Sequence, residues 1–180
     1  GVGVATQSEA LCGRLVAHLA GEFRVDWRLE AKTGHRAEDV HLILKEQDTE
    51  RFDVAITSIG VNDVTHMTGL GRWVDSQKAI VELLSTKFLV RHILLTGLPP
   101  MHMFPSLPQP LRWYLGARAF SFNKELKLFA NRYEGCEFVS IDYPLEPAFM
   151  ATDGFHPGAP AYDLWAGHVA GVIRRLFYKK

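Results

Sequence analysis

Phe52-Asp53-Val54-Ala55-Ile56-Thr57-Ser58-Ile59-Gly60 is the stretch on which the fold class turns. It is a nearly continuous β-rich run closed by a glycine, the pattern of a short strand covered on both faces, as in a parallel sheet flanked by helices. Two further runs, near His92–Thr96 and Cys136–Ile141, read the same way. Earlier in the chain, Phe23–Leu29 alternates apolar and polar residues with period two, which predicts a strand with one exposed face near a sheet edge.

Helical stripes separate these runs. Leu11, Leu15, Val16 and Leu19 fall on one face of a predicted helix opened by Ser8 as its N-cap. Others are predicted at about Ala37–Gln47, Trp73–Lys87, Leu111–Tyr133 and Ala161–Tyr178, the last with Leu164, Trp165, Val169 and Val172 as core positions. Strands alternating with helices imply an α/β protein with a mostly parallel sheet and helices on both faces. With no internal repeat, low-complexity segment or linker, residues 1–180 read as a single domain.

Composition narrows the class of function. The 20 Lys+Arg balance 20 Asp+Glu, and a formal net charge of zero argues against nucleic-acid binding by bulk electrostatics. No apolar stretch approaches the ~20 residues that span a bilayer, so no transmembrane segment is expected. Cys12 and Cys136 form no Cys-x-x-Cys and sit in apolar contexts, which predicts buried free thiols rather than a metal or redox site. The eight histidines show no metal-ligand spacing. Neither Gly-x-x-x-x-Gly-Lys-Ser/Thr nor Gly-x-Gly-x-x-Gly follows a strand, which argues against a nucleotide-binding loop.

In open α/β sheets ligands bind at the carboxyl ends of strands. Three segments follow predicted strands: Lys32-Thr33-Gly34-His35-Arg36, Gly60-Val61-Asn62-Asp63, read as a loop, and Asp153-Gly154-Phe155-His156-Pro157-Gly158. Taken singly, a turn glycine, an Asn-Asp turn and a surface histidine are ordinary. Together they supply a histidine base with a carboxylate to orient it, a backbone N–H and an amide NH₂, the parts that acyl transfer needs around a nucleophile.

These blocks resemble the SGNH (GDSL) esterase and lipase hydrolases, whose signature is a Gly-Asp-Ser, a Gly, a Gly-x-Asn-Asp and an Asp-x-x-His in that order. Gly34 matches the second block, Gly60 to Asp63 the third, and Asp153 to His156 the fourth. The resemblance implies a three-layer α/β/α, flavodoxin-like fold and a serine esterase of small to medium acyl esters that needs no cofactor. It implies His156 as the base, Asp153 as its orienting carboxylate, and Gly34 and Asn62 as oxyanion donors, with Asp63 bracing the loop. Gly-Asp-Ser is absent from the 180 residues. The resemblance therefore places the nucleophile and the first strand upstream of Gly1, where Gly1-Val-Gly-Val-Ala-Thr-Gln-Ser looks like the piece just downstream of that serine. Ser8 itself reads as a helix cap.

Trp113, Tyr114, Phe149 and the loop Pro99 to Pro108, with Met101 and Met103, are candidates for an apolar acyl wall. Carbohydrate O-acetyl esterase, thioesterase and lipid variants stay open, as does a non-catalytic ligand-binding member of the family.

Overall fold

The computed structural model describes residues 1–141, 144 and 146–178. In chain order the elements are α1 (Leu11–Leu19), α2 (Ala37–Glu46), β1 (Val54–Thr57), α3 (Val61–Thr65), α4 (Leu70–Thr86), β2 (His92–Thr96), α5 (Leu111–Ala130), β3 (Cys136–Val139) and α6 (Ala159–Tyr178). They fall into two compact units, one of Gly1–Ala31, Phe104–Pro108 and Asp142–Lys180, the other of Lys32–Met103 and Gln109–Ile141. The Pro- and Gly-containing stretch from Tyr143 to Gly158 reads from the sequence as a loop; of it, Tyr143 and Leu145 lie outside the described residues.

The second unit holds the sheet, in order β1-β2-β3, with both pairs parallel. Ile93 of β2 stands opposite Ala55 on one side and Cys136 on the other. β2 can occupy the centre because Ile93, Leu94 and Leu95 carry no charge into a position buried on both faces. Beside the sheet, Trp73 of α4 packs on Phe122 of α5 with ring centroids 4.5 Å apart, both side chains fully buried. Asn123 of α5 bonds both backbone groups of Leu98, accepting from its N–H at 2.7 Å and donating to its carbonyl at 2.8 Å. It thereby holds the exit of β2 as another strand would.

In the first unit α1 packs along α6, and Asp163 ties the two, accepting from the Arg14 guanidinium at 2.6 Å and bonding His18 Nε2 at 3.0 Å. Trp165, Val169 and Val172 are buried as the helical spacing predicts, but Leu164 is exposed, since it lies a turn's fraction off that stripe.

Other expectations change as well. Phe23–Leu29 is not a strand. Alternation alone does not make one: among the described residues no neighbouring strand takes up its N–H and C=O groups, and Trp27 and Leu29 stay exposed. Ser8 does not cap α1; it sits in a 3-10 turn, Gln7–Glu9, and α1 begins after Ala10. Thr6 opens that turn, its N–H donating to Glu9 Oε2 at 3.2 Å and its hydroxyl to the same oxygen at 3.1 Å. The expected loop after Gly60 is the short helix α3: Gly60, at φ 144°, turns the chain out of β1, and Val64 N–H bonds the Gly60 carbonyl at 2.9 Å. Cys12 and Cys136 are free thiols, only partly buried, and burial raises both, Cys136 to about 11.

Candidate active site

The Asp153–His156 pair belongs to the first unit and is built by one tight turn. Asp153 Oδ1 accepts the backbone N–H groups of Phe155 and His156, each at 2.9 Å, and Gly154 at φ 64° lets the chain reverse beneath the carboxylate. The other oxygen, Oδ2, meets His156 Nδ1 at 2.6 Å. The His156 backbone N–H, its ring and the Phe155 N–H together hold the Asp153 carboxyl down at about 2, so it is ionised at neutral pH. An ionised carboxylate can only accept, which puts the proton on Nδ1 and leaves Nε2 as the basic nitrogen of the ring.

The loop around the pair is braced in ways the motif does not announce. Ser106 Oγ donates to the Gly154 carbonyl at 3.0 Å, and the Phe104 ring meets the Phe155 ring edge-on at 5.0 Å. The Ala151 N–H bonds the His156 carbonyl at 2.8 Å. The start of the chain also lies against this turn. A Cβ on Gly3 would lie 2.5 Å from the Pro157 carbonyl oxygen and 3.0 Å from His156 Cβ, at a φ of +90° that L side chains rarely adopt. Tyr162 Oη holds this segment in place by donating to the Val2 carbonyl at 2.8 Å. The sequence signal for these braces was no more than a glycine-rich start and a proline-rich loop.

Gly34, Asn62 and Asp63 belong to the second unit and are brought together there. Gly34 is exposed at φ 85° in a turn closed by His35 N–H on the Lys32 carbonyl at 3.2 Å, a conformation that favours glycine. Asn62 Nδ2 donates to the His35 carbonyl at 2.8 Å, so the amide of α3 is tied to the residue that follows Gly34. The buried Asp63 accepts the N–H of Ala37, the first residue of α2, at 3.0 Å. Burial pushes the Asp63 carboxyl up, against the opposing effect of that hydrogen bond. Two adjacent side chains of α3 thus pin both ends of the stretch His35 to Ala37. Asn62 is well suited to anion binding: an amide NH₂ has two N–H groups, and the His35 carbonyl uses one.

The candidates for an acyl wall scatter in exposure. Met101 is fully buried, Phe149 is half-buried, and Met103, Trp113 and Tyr114 are exposed. Trp73, by contrast, packs on Phe122 inside the core.

Comparison with known proteins follows the same lines. A GDSL-like esterase from Mycobacterium tuberculosis is 30% identical over 135 residues, which cover 71% of this chain and 42% of that protein. The chain therefore spans less than half the length of the curated relative it matches. Among solved structures, the lipase Lip_vut3 from a goat rumen metagenome superposes with a TM-score of 0.73 at 16% identity, covering 95% of this chain and 90% of that one. A psychrotrophic esterase, EstA from a Pseudoalteromonas species, superposes with a TM-score of 0.61 at 12% identity over 97% of this chain and 91% of that one. The structural likeness shows the fold, a three-layer α/β/α arrangement with a parallel sheet. The profile of the GDSL-like lipase/acylhydrolase family matches residues 1–164, and the chain belongs to that family.

Proposed function

We propose that this chain is part of a serine esterase that hydrolyses small to medium acyl esters, with its nucleophilic serine upstream of Gly1. The observation that carries the reading is the 2.6 Å bond between His156 Nδ1 and an Asp153 carboxylate held at about 2. A ring oriented in this way has Nε2 as an acceptor, which is what a general base for a serine hydroxyl requires. The chain path supports the position of the serine, because Gly3 lies against the His156 backbone turn.

In this mechanism the serine oxygen attacks the ester carbonyl while Nε2 of His156 takes the hydroxyl proton. Asp153 stabilises the imidazolium that forms. The carbonyl oxygen gains negative charge, which the Gly34 backbone N–H and the remaining N–H of Asn62 bind as it develops, each donor worth on the order of 10²–10³ in rate. Collapse breaks the acyl–oxygen bond, and the imidazolium protonates the leaving alkoxide. Water then repeats the cycle on the acyl-enzyme with His156 again as base. Asp63 takes no proton here; it braces the loop.

The test is intact mass before and after a fluorophosphonate, a probe matched to the Pseudoalteromonas esterase, whose structure is inhibited by monoethylphosphonate. With the serine block present, one phosphonyl adduct is expected. In His156→Ala both adduct formation and ester turnover should fall by on the order of 10⁴ to 10⁶. An adduct formed at the parental rate in that variant would overturn the assignment. A folded protein carrying the block but taking no adduct would instead favour the ligand-binding member.

A further inference from the structure

The outer side of α5 is at odds with its inner side. Leu115, Ala119, Phe122, Leu126 and Phe129 bury one face of this helix, which satisfies the ordinary requirement for an apolar stripe. Yet the opposite face is also apolar. Phe120 is 73% exposed and Trp113 66%, with Leu128 and Tyr114 exposed beside them. Positions 113, 117, 120, 124 and 127 follow one another at three- and four-residue spacing, so they form one continuous band, with Leu128 along its edge. Lys124 and Lys127 stand within it, and no aspartate or glutamate occupies an exposed position anywhere on α5.

We propose that this band is a docking surface for an anionic membrane interface. Aromatic rings suit the boundary between headgroups and acyl chains, and lysine stems lie along apolar surface while their ammonium groups reach outward to lipid phosphates. Charge separates this occupant from a second copy of the chain. A two-fold contact through the band would bring two sets of Lys124 and Lys127 into one apolar interface, while the one carboxylate of α5, Glu125, is half-buried. An anionic bilayer supplies the missing negative charge, and at its surface each lysine is attracted independently. Among the described residues no helix is long and apolar enough to cross a membrane.

The test is co-sedimentation of the protein with vesicles of phosphatidylglycerol and phosphatidylcholine, against vesicles of phosphatidylcholine alone, with sedimentation velocity of the free protein alongside. Binding is expected to the anionic vesicles and to weaken with added salt. Phe120→Ser should lower the vesicle partition about tenfold or more. Lys124→Glu with Lys127→Glu should lower it by about fivefold or more for each lysine removed. Because all three side chains are exposed, circular dichroism and the thermal midpoint should not move. Equal binding to both vesicle types, no binding to either, or variants that bind like the parent would each overturn the proposal. So would a concentration-dependent dimer abolished by Phe120→Ser, which would assign the band to a second copy, or binding to polyglutamate without binding to vesicles, which would assign it to an acidic protein.

Discussion

At His156, the bond from Asp153 decides which ring nitrogen carries the proton. Its carboxylate accepts two backbone N–H groups and the imidazole, which is why its ionised form is favoured down to about 2. The sign of the consequence follows from linkage: a carboxyl with a depressed folded value adds stability above its unfolded value and loses it as pH falls through the folded one. The difference in thermal midpoint between the parent and Asp153→Asn should therefore shrink as the pH falls through 3.8 towards about 2. A difference that persists undiminished at pH ~2 would show that the charge is not its source. The Asp-x-x-His spacing made this pair legible in the sequence, since three residues of one turn suffice to join them. The Ser106 and Gly3 contacts were not legible, because nothing local relates residues so far from the turn.

Among the elements, α3 does the most with the least length. Its five residues, Val61–Thr65, present Asn62 to the His35 carbonyl and Asp63 to the Ala37 N–H. Removing the acceptor would leave the Ala37 N–H buried and unpaired, so Asp63→Ala should cost about 1–3 kcal/mol in urea denaturation. Asp63→Asn should cost much less. Its amide oxygen can still accept that N–H, and a neutral group escapes the burial that raises the Asp63 carboxyl. Equal losses in the two variants would mean that the bond to Ala37 is not what the carboxylate contributes. The Gly-x-Asn-Asp motif pointed to these residues, but only as a loop. That they form a helical turn follows from Gly60, whose positive φ redirects the chain.

Across the whole molecule, stability should follow burial. Leu94, fully buried in the central strand, should cost about 2–5 kcal/mol when replaced by alanine, from lost transfer energy and the cavity left behind. Leu42 on α2, 51% exposed, should change stability by less than about 0.5 kcal/mol in the same measurement. Both are leucines in regular elements, and only the fold tells them apart. The kind of each sheet strand and of most helices was legible in the sequence, because Val54–Thr57, His92–Thr96 and the helical stripes encode burial through local spacing. The Asp153–His156 pair was legible for the same local reason. The tertiary structure alone decided that Phe23–Leu29 joins no sheet among the described residues, that Trp73 is core while Trp113 is exposed, and that Asn62 meets His35. Those outcomes turn on what the folded chain brings alongside each group, and side-chain periodicity carries no information about a hydrogen-bonding or packing partner that is distant in sequence.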